Sequence, residues 1–294
     1  MTARSPMARR AALGVLALGT LTACGIHLEE DAPRVPLVPA RTPIAGEDAL
    51  VGLLLGTQTL AAGVALLPKV AGFGAALDQQ ARVLDSALRE RGVPANRLAG
   101  AASGTAEVAA LAGASVTAAH EVLAHAEVAL RPMLASLAAS RTVLAGKLDR
   151  NWQPPAPAPA ALDTPAALAV LAASRAAVYG VEVAAARSAD ATRERGVSTL
   201  HTLRGLVMAQ EALLGAQAPP TPSAYGLPVT VTDNASAKRL VGHLLDALTR
   251  AYAGQLPTVA DAPPALLTLT DWLAASAQLQ SRWGADLAAF PGLT

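Results

Sequence analysis

From residue 47 onward the chain alternates long runs rich in Ala, Leu and Val with short breaks rich in Pro and Gly. Residues 49–67 carry no charged side chain at nineteen successive positions. That length could cross a bilayer. Thr57-Gln58-Thr59 in its middle, glycines at 52, 56 and 63, and the lack of a basic flank before it favour a core helix instead. The Gly52/Gly56 spacing is expected to let another helix approach closely. Pro68 ends the run. A second helix is predicted over 70–91, with Phe73, Leu77, Leu84 and Leu88 on one stripe. Further helices are predicted over 105–130 and 132–149. Residues 47–150 therefore read as an N-terminal helical bundle.

Trp152-Gln153-Pro154-Pro155-Ala156-Pro157-Ala158-Pro159 cannot continue a helix, and residues 151–164 read as a stiff linker. Four more helices are predicted over 165–187, 193–214, 234–255 and 264–288, with Asp233 as the N-cap of the third. The first and third connections are short, which makes antiparallel neighbours. The second, 215–233, holds prolines at 219, 220, 222 and 228. Extended, it reaches roughly 50 Å, against ~30 Å for a helix of about 20 residues. It can cross the whole bundle, and one long crossover is the ferritin-like topology. The expected fold is all-α: two tandem helical bundles, the C-terminal one (165–294) a ferritin-like four-helix bundle.

Composition narrows the chemistry. Hydrophobic residues are 52% and aromatics 3% of the 294. Cores must be built from small and aliphatic side chains, which favours helix. Residues 1–23 have a basic start (Arg4, Arg9, Arg10), an apolar core from Ala11 to Leu21 and the small pair Thr22-Ala23. This is the layout of an export signal, too short to span a membrane. Leu21-Thr22-Ala23-Cys24 resembles the bacterial lipobox. That resemblance implies cleavage before Cys24 and a diacylglyceryl group on its sulfur, anchoring the chain to the extracytoplasmic face of the cell membrane. Arg9-Arg10 leaves twin-arginine export open beside ordinary secretion. Cys24 is the only cysteine, so no internal disulfide can form. Residues 24–46, with prolines at 33, 36, 39 and 43, read as an extended tether. Losing the leader takes the net charge from +1 to −2, and no Lys/Arg cluster remains for nucleic acid.

Several stretches carry a further resemblance. They are Ala224-Tyr225-Gly226-Leu227-Pro228-Val229-Thr230-Val231-Thr232-Asp233, Ala235-Ser236-Ala237, Val178-Tyr179-Gly180, Arg282-Trp283 and Phe290-Pro291-Gly292. Leu28-Glu29-Glu30-Asp31-Ala32-Pro33-Arg34-Val35-Pro36 and Leu134-Ala135-Ser136-Leu137-Ala138-Ala139-Ser140 belong with them. Together they resemble the ferritin-like domain of unknown function of actinobacterial lipoproteins. The resemblance implies the fold and the surface location, and no activity.

A ferritin-like bundle raises a di-iron centre, which needs Glu-x-x-His on two helices and a Glu on each of the others. No Glu-x-x-His occurs. Related sequences often place Glu-His near the start of the first helix, where this chain aligns Ser174-Arg175. The acidic helix residues of the second half are Glu182, Asp190, Glu194, Glu211, Asp246, Asp271 and Asp286, and an atypical site could draw only on Glu182, His201, His243 and Asp246. His120-Glu121 and His125 miss the zinc spacing His-Glu-x-x-His by one position. Glu121 and His125 share a face, as do His120 and Glu127, and they read as a polar helix edge. There is no Gly-x-Ser-x-Gly, free Cys or phosphate loop. Trp272, Trp283, Tyr179, Tyr225 and Tyr252 either fill the core or line a ligand cleft. The expectation is a non-enzymatic binding or scaffolding module with a protein partner at the cell envelope, lipidated at Cys24, with no catalytic residue, metal site or cofactor. A metal-binding or oxidoreductase bundle and a small-ligand or lipid carrier are the alternatives.

Overall fold

Alanine- and leucine-rich runs between proline and glycine breaks fold as helices throughout, and no strand occurs among the described residues. The computed structural model describes residues 41–68, 70–100, 107–155 and 161–293. The leader, Cys24, most of the tether and part of the linker lie outside them. The helices are α1 (Glu47–Ala65), α2 (Gly74–Glu90), α3 (Ala95–Leu98), α4 (Val108–His125), α5 (Arg131–Leu148), α6 (Thr164–Ala186), α7 (Asp190–Leu214), α8 (Asn234–Gln255) and α9 (Pro263–Arg282).

The helix ends follow local chemistry. Asp163 accepts from the Ala166 N–H at 3.3 Å at the start of α6, where Pro165 needs no donor partner. Asp233 caps α8 as expected, in a reciprocal box: its carboxylate accepts from the Ser236 N–H at 2.7 Å, and the Ser236 hydroxyl accepts from the Asp233 N–H at 3.0 Å. Two expected boundaries differ. The run 105–130 breaks at Ala126, which adopts an extended conformation before a 3-10 turn, Val128–Leu130. The last helix stops at Arg282 rather than near Ala288. Gly284 sits at φ 95°, its N–H bonds the Ser281 carbonyl, and the Ala285 N–H bonds the Gln280 carbonyl. This left-handed stop satisfies the last carbonyls.

Paired contacts fix the helix directions in the C-terminal half. Thr164 bonds Gln217, and Gly196 packs on Ala185, so α6 and α7 are antiparallel. Gly180 makes room for Leu244, while Ser174 bonds Tyr252, so α6 and α8 are also antiparallel. Asn234 at the start of α8 accepts from the N–H of Ala189 at the start of α7, and Gln210 and Tyr252 meet near both far ends. Helices α7 and α8 therefore run parallel, and residues 215–233 return along the full length of the bundle. The connectivity is up–down–down–up.

In the N-terminal half α1 packs on α2 and α4, and α4 on α5. Helix α5 then packs on α9. The two stretches separated by the linker share one core, which runs from Leu50, Leu54 and Leu84 through Leu134 and Leu137 to Val170, Leu240 and Leu269. The described residues from Pro43 onward form one compact unit. Each fully buried leucine contributes ~1.5–3 kcal/mol relative to exposure. Helix α1, with the helical stretches Val128–Leu148 and Thr164–Ala186, is long and apolar enough to cross a membrane by length and composition. Here all three supply leucines, valines and alanines to the core. The close approach expected at Gly52 and Gly56 does not occur: both are exposed, and nothing lies within 4 Å of a Cβ built on either. Glycines that do admit neighbours include Gly63, against Val108, and Gly180, against Leu244.

Residues past α9 close the seam between the halves. Ser140 donates to the Ala288 carbonyl (2.7 Å), Gln80 to Ala289 (2.6 Å) and Ser136 to Pro291 (2.8 Å). Phe290 is buried in the core. Gly292 has φ 76°, and a Cβ there would lie 2.6 Å from the Thr249 carbonyl oxygen. This irregular strap thus has three of its carbonyls satisfied by side chains instead of water.

Candidate functional site: a locked polar layer and the groove beside it

The interior of α6–α9 holds a polar layer. Tyr252 is fully buried. Gln210 Nε2 donates to its hydroxyl at 3.0 Å, and the hydroxyl lies 2.6 Å from Ser174 Oγ. Ser174 donates onward to the Val170 carbonyl at 2.7 Å. The serine proton is therefore committed, and Tyr252 is the donor to Ser174. Burial pushes the Tyr252 phenol up to about 12, with the Ser174 and Gln210 hydrogen bonds pulling the other way. Gln210 Oε1 is buried without a partner among the described residues. The Tyr252 ring packs against Trp272, centroids 6.4 Å apart.

Arg175 joins this layer to the surface. Its Nε and Nη2 donate to Glu211 Oε1 at 3.2 and 2.7 Å, and its Nη1 to the Pro219 carbonyl at 2.7 Å. One arginine thereby clamps α6, α7 and the crossover. Outside it opens a groove of about 590 Å³ between α6, α7 and residues 221–225. Tyr179 and Tyr225 line it with centroids 5.6 Å apart and planes tilted by 48°. Arg204 and Glu182 pair across its edge at 2.8 Å.

The structure does not bring the sequence-derived metal candidates together. Glu182 faces the groove in its ion pair with Arg204. His201 and His243 are exposed. Asp246 pairs with Arg250 at 2.7 Å, one turn along the same helix. Among the described residues no group of three or more His, Cys, Asp or Glu could hold a metal ion. The interior donor set does not fit a di-iron centre either: it is neutral apart from Glu211, which Arg175 already holds. Ser174 and Arg175 supply a hydroxyl and a cation where a metal site needs anionic or neutral ligands.

On α4, Glu121 and His125 are exposed. His120 turns the other way. Its Nδ1 lies 2.9 Å from the Val116 carbonyl, and its Nε2 lies 3.6 Å from Asp271 on α9. Burial opposes the imidazolium, but Asp271 and the Val116 carbonyl outweigh it and raise the His120 pKa. The pair lines a small cavity of about 270 Å³ with Trp272, Pro154 and Pro155.

The aromatics divide by role. Tyr252 and Trp272 fill the core. Trp283 donates to Thr199 at 2.9 Å and lies beneath Arg195, pinning the end of α9 to α7. Tyr179 and Tyr225 line the groove. Sequence reasoning missed Gln210 and the clamp of Arg175. Their one signal was polar residues inside otherwise apolar helical faces.

Residues 166–294 match a family model described as a domain of unknown function (DUF4439). The match begins at the third residue of α6 and covers the remaining helices and the strap. No curated protein and no solved structure matches the chain.

Proposed function

We propose that this chain is a lipid-anchored, extracytoplasmic binding module, held to the membrane through Cys24, whose last four helices are a ferritin-like bundle serving as a scaffold. The observation that carries the reading is the contrast between interior and surface. The bundle centre is closed by a hydrogen-bonded Tyr252–Ser174–Gln210 layer and the Arg175–Glu211 pair. The groove outside is open and amphipathic. The up–down–down–up connectivity supports the ferritin-like assignment. The leader and lipobox residues support the anchor. Two acyl chains, at ~0.8 kcal/mol per buried CH₂, would hold such a protein firmly to a membrane.

Two measurements test this reading. Elemental analysis of metal-replete protein is expected to find no stoichiometric iron; two irons per chain would overturn the scaffold assignment. Cys24→Ala protein is expected to leave the membrane fraction on high-salt washing. Retention would overturn lipid anchoring and point to the apolar helix Glu47–Ala65 instead.

A further inference from the structure

We propose that the groove between α6, α7 and the crossover binds a neutral, polyhydroxylated ligand: a short stretch of carbohydrate, seated with a C–H face on Tyr179 and Tyr225. The inference rests on the binding-module reading and names the ligand class of that site.

Charge is the first argument. Four charged side chains line the groove, and they form two closed pairs: Arg175 with Glu211 at 2.7 Å and Arg204 with Glu182 at 2.8 Å. The formal charge of the site is zero. An anionic or cationic ligand would meet the wrong sign as closely as the right one. A neutral ligand leaves both pairs intact.

Hydrogen-bonding capacity is the second. Each carboxylate uses only Oε1, leaving Oε2 of Glu182 and of Glu211 as acceptors. Arg204 uses only Nη2. Among the described residues the hydroxyls of Tyr179, Tyr225, Thr221 and Ser223, all lining the groove, bond no other protein group. Donors and acceptors are therefore interspersed around one site. That pattern suits ligand hydroxyls, each of which donates once and accepts twice.

The apolar floor is the third. Val178, Val207 and the two tyrosine rings line the groove together with Met208, which is 69% exposed. Met208 beside two half-buried aromatic rings gives the groove an apolar side. A sugar ring has a C–H face to lay on an aromatic and a rim of hydroxyls for the polar edge. The volume of about 590 Å³ falls within the ~300–1,000 Å³ of small-molecule sites. The wall is also preformed: Arg175 holds the crossover at Pro219, and Pro220 and Pro222 stiffen the residues that follow. Little ordering remains to be done on binding.

The test is calorimetric titration of the detergent-solubilised full chain with cellotriose, maltotriose and triacetylchitotriose, all neutral, and in parallel with trilysine and triglutamate. At least one trisaccharide is expected to bind. Tyr225→Ala is expected to weaken it about tenfold or more, with the thermal unfolding midpoint little changed, because Tyr225 is only partly buried and lies outside the core. Tyr225→Phe, which keeps the stacking ring, is expected to retain most of the affinity. Failure of all three trisaccharides to bind in a Tyr225-dependent way overturns the carbohydrate assignment. If a charged tripeptide binds there instead, the assignment falls while the binding-module reading stands. If no probe binds and the protein loads two irons, both fall.

Discussion

The two halves of the molecule each bury a polar centre, and they do so in opposite ways. In the C-terminal helices the centre is a chain of neutral groups, Gln210 to Tyr252, Tyr252 to Ser174, Ser174 to the Val170 carbonyl, with the buried Arg175 beside it paired to Glu211. In the N-terminal half the largest buried polar group is a cation without a carboxylate partner among the described residues. Arg141 on α5 is fully buried, and its Nη2 donates to Thr57 at 2.8 Å. Its Nε and Nη1 have no partner among the described residues, nor does Gln80 Oε1. Burial lowers the Arg141 pKa to about 9. A neutral network costs little once donors meet acceptors, and loses much when one member leaves. A buried charge without a carboxylate bears its desolvation cost whether or not one hydrogen bond survives.

The comparison breaks most readily at Tyr252. Tyr252→Ala removes a fully buried ring from the core and is expected to cost about 3–5 kcal/mol. Tyr252→Phe keeps the packing but leaves Gln210 without an acceptor, and is expected to cost about 1–3 kcal/mol. Urea unfolding measures both. A Tyr252→Phe protein as stable as the parent would show that the layer adds nothing beyond shape.

Arg141 should respond with the opposite sign. Arg141→Met keeps much of the side-chain volume and removes the charge. Thr57 is not orphaned, because its hydroxyl already donates to the Leu53 carbonyl at 2.7 Å. The expected outcome is a gain of about 1–2 kcal/mol in the same urea experiment, in keeping with the replacement of buried charges by apolar side chains. A clear loss would mean that the guanidinium has compensation the protein groups do not supply, and the two centres would then be alike.

These differences trace what the sequence could disclose. Helix count in the second half, the Asp233 cap and the crossover were legible because periodicity, capping residues and proline spacing are local signals. Arg141 was not. A lone arginine in Leu-Ala-Ala-Ser-Arg-Thr-Val-Leu reads as the polar edge of an amphipathic helix. Yet α5 is buried continuously from Leu134 to Ala145, so it takes inside whatever it carries. The contacts that bury it come from α4 and α9, over a hundred positions apart in the chain. The strap was hidden for a related reason. It is held through its own backbone carbonyls, which have no sequence signature, and the donors Gln80, Ser136 and Ser140 look ordinary. For the groove, the pairing of Tyr179 with Tyr225 needed the path of the crossover, which length alone bounds but does not place.

The smallest effects, and the sharpest separation of the two centres, lie in alkaline pH. Tyr252 titrates at about 12 in the fold and near 10 when unfolded. Between those values the unfolded chain has released the proton and the fold has kept it. Its contribution to stability is therefore lost as pH rises above 10. Burial lowers Arg141 to about 9 in the fold, well below its value in the unfolded chain. Between those values the unfolded chain holds the extra proton, so the destabilisation caused by the buried charge is relieved as pH rises above about 9. Each group changes stability by at most ~1.4 kcal/mol per pH unit. Unfolding curves of the parent, Tyr252→Phe and Arg141→Met at pH 8, 9, 10 and 11 separate the two. The advantage of Arg141→Met over the parent should shrink from about pH 9, one unit before the disadvantage of Tyr252→Phe begins to close. Differences that stay parallel from pH 8 to 11 would mean that neither centre is linked to proton uptake, and that the contrast between them is one of packing alone.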